Sequence, residues 1–173
     1  RSIAKKTNGL DWTKRLQQLT DKRRHKMDYF MHCVSKYIID YCIDKDIGTL
    51  IIGKNVKWKQ ESKLFSTANQ NFVYIPYELF INKLSYKCEE AGINLILIEE
   101  SYTSGTSFID GELPCKENYD KSRRVHRGLF ESNTGIKINA DVNGAYQIMR
   151  KVFSDALSNE IVGVHLHPIV INI

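Results

Sequence analysis

Apolar residues recur with a helical period through the first quarter of the chain. Met27, Met31, Val34, Ile38 and Tyr41 stand four and three apart, so they share one face of a helix. The stretch from about Leu10 to Lys45 therefore predicts helix, in two pieces. Leu50-Ile51-Ile52, set between Gly48 and Gly53, is a short β-branched run and predicts a buried strand. Residues 54–71 are polar and irregular, with Trp58 and Lys59 among them. Pro76 then opens a helix where its missing N–H costs nothing. Tyr77, Phe80, Ile81, Leu84, Cys88 and Ala91 form its apolar face, and Gly92 ends it as a C-cap. Ile93 to Ile98 is a second buried strand that runs directly into Glu99-Glu100. Residues 101–138 are polar and spotted with glycine, longer than a connecting loop usually is, and loops of that length are usually functional. Asn139 caps a last helix on which Val142, Ala145, Tyr146, Met149, Val152 and Phe153 keep a 3–4 spacing. The tail 161–173, with His165, His167 and Pro168, predicts an edge strand or an extended segment.

Strands alternating with helices predict an α/β layer with parallel pairing. Two strands cannot cover three helices, so the rest of the sheet is expected upstream of Arg1, which opens the chain in a polar stretch without an initiator methionine. The composition, 42% hydrophobic and 26% charged over 173 residues, is that of a globular domain and excludes a fibre or a disordered chain. Apolar runs as short as Leu95–Ile98 predict no membrane span, and no secretory leader is visible. Cys33, Cys42, Cys88 and Cys115 form no CxxC pair and read as reduced thiols, which places the protein in the cytoplasm. The charge is uneven. Residues 1–27 carry nine Lys/Arg against Asp11 and Asp21, a net +7, which leaves −2 for residues 28–173. A basic arm that includes Arg23 and Arg24 suits an anionic partner, nucleic acid being the commonest, or else forms a solvated helix face.

Candidate chemistry sits at the element ends. Glu99 and Glu100 stand at the carboxyl end of a strand, where ligand sites of α/β sheets collect, and Asp141 lies in the first turn of the last helix. Carboxylates converging from separate elements suit Mg²⁺ or Mn²⁺ in phosphodiester cleavage. The plainer reading is that the helix dipole favours Asp141 and that the two glutamates end a strand in solvent. Lys121, Arg123, Arg124 and Arg127 cluster in the insert with Tyr102 and Phe108 nearby, a pattern that fits phosphate contacts and base stacking, or a charged surface loop. His165 and His167 lack the Cys or carboxylate neighbours of a metal site. Dinucleotide, P-loop, zinc-protease and hydrolase signatures are absent from the sequence.

Three blocks together resemble a known family. The first runs from Leu50-Ile51-Ile52-Gly53-Lys54-Asn55 with Trp58-Lys59 through Asn71-Phe72, Ile75-Pro76, Tyr86-Lys87 and Gly92-Ile93. The second is Glu99-Glu100-Ser101-Tyr102-Thr103-Ser104 with Ser107-Phe108-Ile109-Asp110. The third is Arg124, Arg127-Gly128 and Ile138-Asn139-Ala140-Asp141-Val142-Asn143-Gly144-Ala145-Tyr146. Over roughly residues 20–160 the chain resembles the C-terminal part of the TnpB (OrfB) proteins of bacterial insertion sequences, relatives of type V CRISPR effector nucleases. The resemblance implies a RuvC-like nuclease domain of RNase H-like fold, directed to DNA by a guide RNA, in which acids from three motifs bind two metal ions. Asp141 matches the last motif. The middle acid usually stands where this chain has Gly53, and the resemblance implies that Glu99 or Glu100 replaces it from the neighbouring strand. The first acid, with the first three strands, is expected upstream of Arg1. The family's zinc ribbon has no counterpart, because Cys115 is the insert's lone cysteine, so no structural zinc is expected.

The expected architecture is thus α/β, an incomplete RNase H-like (RuvC-like) fold: its second half, with two parallel strands and long helices. Residues 1–47 form a basic arm and helical segment, 48–160 the nuclease core with its insert 101–138, and 161–173 a tail. The expected function is the C-terminal portion of an RNA-guided, Mg²⁺- or Mn²⁺-dependent DNA endonuclease, inactive as a fragment. Asp141 with Glu99 or Glu100 is expected to hold the metal, while Arg23, Arg24, Lys54, Lys59, Tyr102, Thr103, Ser104, Arg123, Arg124 and Arg127 are expected to contact DNA or guide RNA. The rival from another class is a nucleic-acid-binding regulator that has lost cleavage, with Gly53 as the mark of that loss. A structural interaction module is disfavoured by the two basic clusters.

Overall fold

The computed structural model describes residues 13–54, 76–154 and 166–172. The chain divides into two compact units. Among the described residues the first contains two helices. α1 (Lys14–Asp44) is one unbroken helix of 31 residues where the sequence predicts two pieces. No glycine or proline interrupts it, and the Thr13 hydroxyl caps it by accepting from the Leu16 N–H at 3.2 Å. α2 (Tyr77–Ala91) begins after Pro76 and ends at Gly92, whose φ of 68° is the left-handed C-cap conformation predicted for it. The Ile93 N–H then reaches back to the Cys88 carbonyl at 2.8 Å.

α1 and α2 pack on each other, but the buried face of α1 is turned from the predicted one. Ser35, Ile39 and Cys42 are its buried residues, whereas Tyr41 is 46% exposed. The reason lies on α2. Lys87 is buried there, and its ammonium donates to Ser35 Oγ at 2.7 Å and to the His32 carbonyl at 2.8 Å. Burial pulls the Lys87 pKa down, and the charges of Lys83 and Lys36 add to that shift. Ser35 is therefore interior because it accepts from a lysine, which an apolar count does not register.

In the second unit β1 (Thr49–Gly53) and β2 (Asn94–Ile98) form a two-stranded sheet. The Gly48 carbonyl accepts from the Asn94 N–H at 2.9 Å, and the Lys54 N–H donates to the Ile98 carbonyl at 2.7 Å. These bonds join the starts and the ends of the two strands, so they run parallel, as the sequence predicts. Neither strand is buried, contrary to the expectation. Every β1 residue is half-buried and Leu97 of β2 is 44% exposed. Among the described residues the sheet has two strands, each with one edge that the other does not cover.

The insert is folded. β3 (Leu129–Glu131) and β4 (Lys137–Asn139) pair antiparallel with Phe130 opposite Ile138, both fully buried. Gly135, at φ 79°, makes the turn between them. The chain passes from β4 straight into α3 (Ala140–Val152), which Asn139 caps by accepting from the Asp141 and Val142 N–H groups at 2.9 and 3.2 Å. Ile109, Phe130, Ile138 and Ala140 form the core of this unit, with Val142, Tyr146 and Leu166 against it. Residues 166–172 form no strand, although the Leu166 carbonyl accepts from the Asn139 N–H at 2.8 Å. No helix among the described residues is long and apolar enough to cross a membrane.

The most buried face of α3 is polar. Ala140, Asn143, Gln147 and Arg150 are its buried residues, while Ala145 is exposed and Phe153 is 42% exposed. The predicted apolar row lies partly buried beside it. This inversion follows from what the helix covers: an irregular loop whose backbone groups need partners.

Candidate metal and nucleic-acid site

Residues 99–112 are held by side chains that bond backbone. Thr103 Oγ1 donates to the Glu100 carbonyl at 2.8 Å and Thr106 Oγ1 to the Tyr102 carbonyl at 2.9 Å. Asn143 clamps the middle of the segment, accepting from the Phe108 N–H at 2.9 Å and donating to the Thr106 carbonyl at 2.8 Å. Arg150 donates to the carbonyls of Glu112 and Phe108 at 2.9 and 3.2 Å and lies 4.4 Å from the centroid of the Phe108 ring. That ring also stacks on Tyr146 at 4.6 Å. Burial lowers the Arg150 pKa. Phe108 is thus an interior residue and offers no free face for stacking a base.

Glu100 leaves the end of β2 and lies over the end of β1. A Cβ built on Gly53 would stand 3.0 Å from Glu100 Oε2 and 2.6 Å from Ile148 Cδ1 of α3. Glu100 is half-buried there, whereas Glu99 is exposed. Asp141 occupies the first turn of α3 with 89% of its side chain exposed, 4.0 Å from the Arg124 guanidinium. Asp141 and Ile148 are seven positions apart, nearly two turns, so they share a helix face about 10 Å apart along the axis. Carboxylate oxygens are the donors that suit a hard divalent cation. Among the described residues, however, no three His, Cys, Asp or Glu side chains gather closely enough to hold one.

Lys151 belongs to this neighbourhood as well, though the sequence alone does not point to it. Its ammonium donates to the Glu99 carbonyl at 2.8 Å and to Ser101 Oγ at 3.2 Å. Burial lowers its pKa, and the carboxylates of Glu99 and Glu100 oppose that shift. No local signal marks this lysine, since its partners lie about fifty positions earlier in the chain.

The basic and aromatic candidates fall into several environments. Arg124 and Arg127 are exposed. Arg123 is not free: its guanidinium grips the Glu112 carboxylate at 2.7–2.8 Å, with both side chains largely covered. Tyr102 is 41% exposed, adopts φ 64°, and meets Tyr119 edge to face at 5.8 Å. The Ser104 hydroxyl is exposed, 3.5 Å from that of Tyr119, and Thr103 is buried. Lys54 is half-buried. Arg23 and Arg24 are exposed on α1, in the other unit, with Arg24 3.2 Å from Asp21. On the same helix Leu19, Lys22, Arg23, Lys26, Met27 and Phe30 line an open groove of about 430 Å³. Lys59, His165 and the chain before Thr13 lie outside the described residues. Cys33, Cys42, Cys88 and Cys115 are all free thiols.

Residues 77–148 match a family model described as Cas12f1-like, TNB domain. The CRISPR-associated endodeoxyribonuclease Cas12f1 of Sulfoacidibacillus thermotolerans is 33% identical over 138 residues, which span 78% of this chain and 29% of that protein. A cryo-EM structure of a Cas12f1–sgRNA–target DNA complex aligns with a TM-score of 0.62 at 22% identity, over 78% of this chain and 36% of that one. A second, of a CRISPR-Cas12f ternary complex, aligns with a TM-score of 0.62 at 18% identity, over 95% and 31%. The chain therefore shares the fold of one part of the Cas12f structures and spans under a third of the curated relative it matches.

Proposed function

We propose that this chain is the C-terminal RuvC-like, RNase H-like portion of an RNA-guided DNA endonuclease related to both the Cas12f nucleases and the TnpB proteins of insertion sequences. The similarity to an endodeoxyribonuclease, and to structures solved with guide RNA and target DNA, supports DNA and guide RNA as partners. The observation that carries the reading is the place of Glu100. Its carboxylate lies at the carboxyl ends of two parallel strands, against the helix whose first turn bears Asp141. Glu100 and Asp141, with an acid from upstream of Arg1, would hold Mg²⁺ or Mn²⁺. Glu99, exposed beside them, would stay outside the site. The bound ions would stabilise the attacking and leaving oxygens of phosphodiester cleavage. Arg124 and Arg127 would hold the nucleic-acid backbone by charge, without reading sequence.

The test is DNA cleavage by the complete protein with its guide RNA, with and without Mg²⁺, for wild type, Glu100→Gln and Asp141→Asn. Loss of cleavage in both variants with guide binding retained is the expected result. Mg²⁺-dependent cleavage that survives Asp141→Asn would sink both the site and the mechanism. The second reading, a binder that does not cut, is favoured by Gly53, which stands where the middle acid of the resembled family usually does. It predicts guide and target binding with no cleavage even in the wild type.

A further inference from the structure

Gly53 is a glycine for want of space. Its φ lies outside the left-handed region that otherwise calls for glycine, unlike Gly92, Gly111, Gly128 and Gly135. A Cβ at Gly48 or Gly144 would meet nothing within 4 Å, whereas one at Gly53 would stand 2.6 Å from Ile148 Cδ1, 3.0 Å from Glu100 Oε2 and 3.1 Å from Glu100 Cβ. The Ile148 contact is with the free end of a side chain, which a rotamer change relieves. The Glu100 contact is different. Its Cβ moves only with the backbone, and that backbone is pinned on both sides. Lys151 holds the Glu99 carbonyl at 2.8 Å and Ser101 Oγ at 3.2 Å, and Thr103 Oγ1 bonds the Glu100 carbonyl at 2.8 Å.

We infer that Gly53 is a positioning residue: the missing side chain on β1 is the seat in which the carboxylate of Glu100, two residues past β2, is held. The inference rests on the metal-site reading proposed above. An alanine at position 53 crowds the seat, so Glu100 must give by a few tenths of an ångström and its carboxylate is displaced from the strand ends, while the rest of the unit keeps its bonds. Ligand geometry tolerates little displacement, so the loss falls on metal affinity and on cleavage and much less on the fold.

The experiment uses the complete protein with its guide RNA and compares wild type, Ile148→Val, Gly53→Ala, Gly53→Ala with Ile148→Val, and Glu100→Gln. The valine removes Cδ1 and with it the shortest contact, which leaves Glu100 as the group that alanine displaces. Thermal melting, Mn²⁺ affinity by titration calorimetry and the cleavage rate are measured for each. The double variant is expected to melt within about 3 °C of Ile148→Val, to bind Mn²⁺ about 10-fold more weakly and to cleave about 100-fold more slowly. Wild-type cleavage by the double variant while Glu100→Gln is dead overturns the role of Gly53 and leaves the metal site standing. Wild-type cleavage by Glu100→Gln removes the site itself, and the inference with it. Failure of both alanine variants to fold would assign Gly53 to the fold and overturn the inference.

Discussion

Asn143 is the side chain whose loss the structure prices most directly. It is fully buried, accepts from the Phe108 N–H at 2.9 Å and donates to the Thr106 carbonyl at 2.8 Å. Both partners are themselves buried, so water cannot replace the amide when Asn143 is cut back to alanine. One donor and one acceptor are then stranded, at about 1–3 kcal/mol each. Alanine is the better helix former by about 0.5 kcal/mol, which offsets little of that. The net cost is about 3 kcal/mol, or a fall of about 6–12 °C in melting temperature for a chain of this size. Asn143→Asp is expected to do no better. A carboxylate still accepts from Phe108 but turns an oxygen toward the Thr106 carbonyl and buries a charge. Circular-dichroism melting of the purified chain reads the loss, and hydrogen exchange at the Phe108 amide locates it. A shift below about 2 °C together with unchanged protection at Phe108 would refute the view that Asn143 holds the 106–108 segment.

Three further outcomes are expected. Arg123→Ala removes the cationic partner of the largely covered Glu112 carboxylate, which keeps only its bonds from the Ser107 N–H and the Asn133 amide, and is expected to cost about 1–3 kcal/mol in urea unfolding, with Glu112→Gln milder; an unchanged midpoint would return Arg123 to the pool of free cations. Arg127→Ala, at an exposed position, is expected to leave the melting temperature alone while lowering the salt slope of DNA binding by about one phosphate contact; an unchanged slope would place the nucleic acid elsewhere. Lys87→Met is expected to be neutral or stabilising by about 1 kcal/mol, because it removes a buried ammonium while Ser35 Oγ keeps its bond to the His32 carbonyl. Burial depresses the folded pKa of Lys87 below its unfolded value near 10.5. The wild type therefore gains stability as pH rises from that depressed value toward 10.5, where the unfolded chain binds more protons. The methionine variant should lack that gain, and an equal rise in both proteins would contradict it.

What the sequence determined by itself are the features written in neighbours. Pro76, Gly92 and Asn139 stop or start helices through bonds that span two to five residues, and each stands where the sequence reading put it. The β1–helix–β2 order carries its parallel pairing with it, because a crossover leaves little other choice. The same reading turned the face of α1, expected the strands to be buried, and expected an apolar contact face on α3. In each case the deciding partner is remote. Ser35 is interior through Lys87, 52 positions away, and Asn143 and Arg150 are interior through backbone 35 to 42 positions away. Asn143, Gln147 and Arg150 even carry a helical spacing, but a polar row of that period is also what a solvated face looks like, and only the loop laid across it shows which it is. The candidate site divides along the same line. Glu100 and Asp141 were legible as acids at element ends. That Glu100 turns over Gly53, that Glu99 faces solvent and that Lys151 braces the turn between them was settled by the tertiary structure alone, because a side chain's place depends on the room and the hydrogen bonds that other elements leave it.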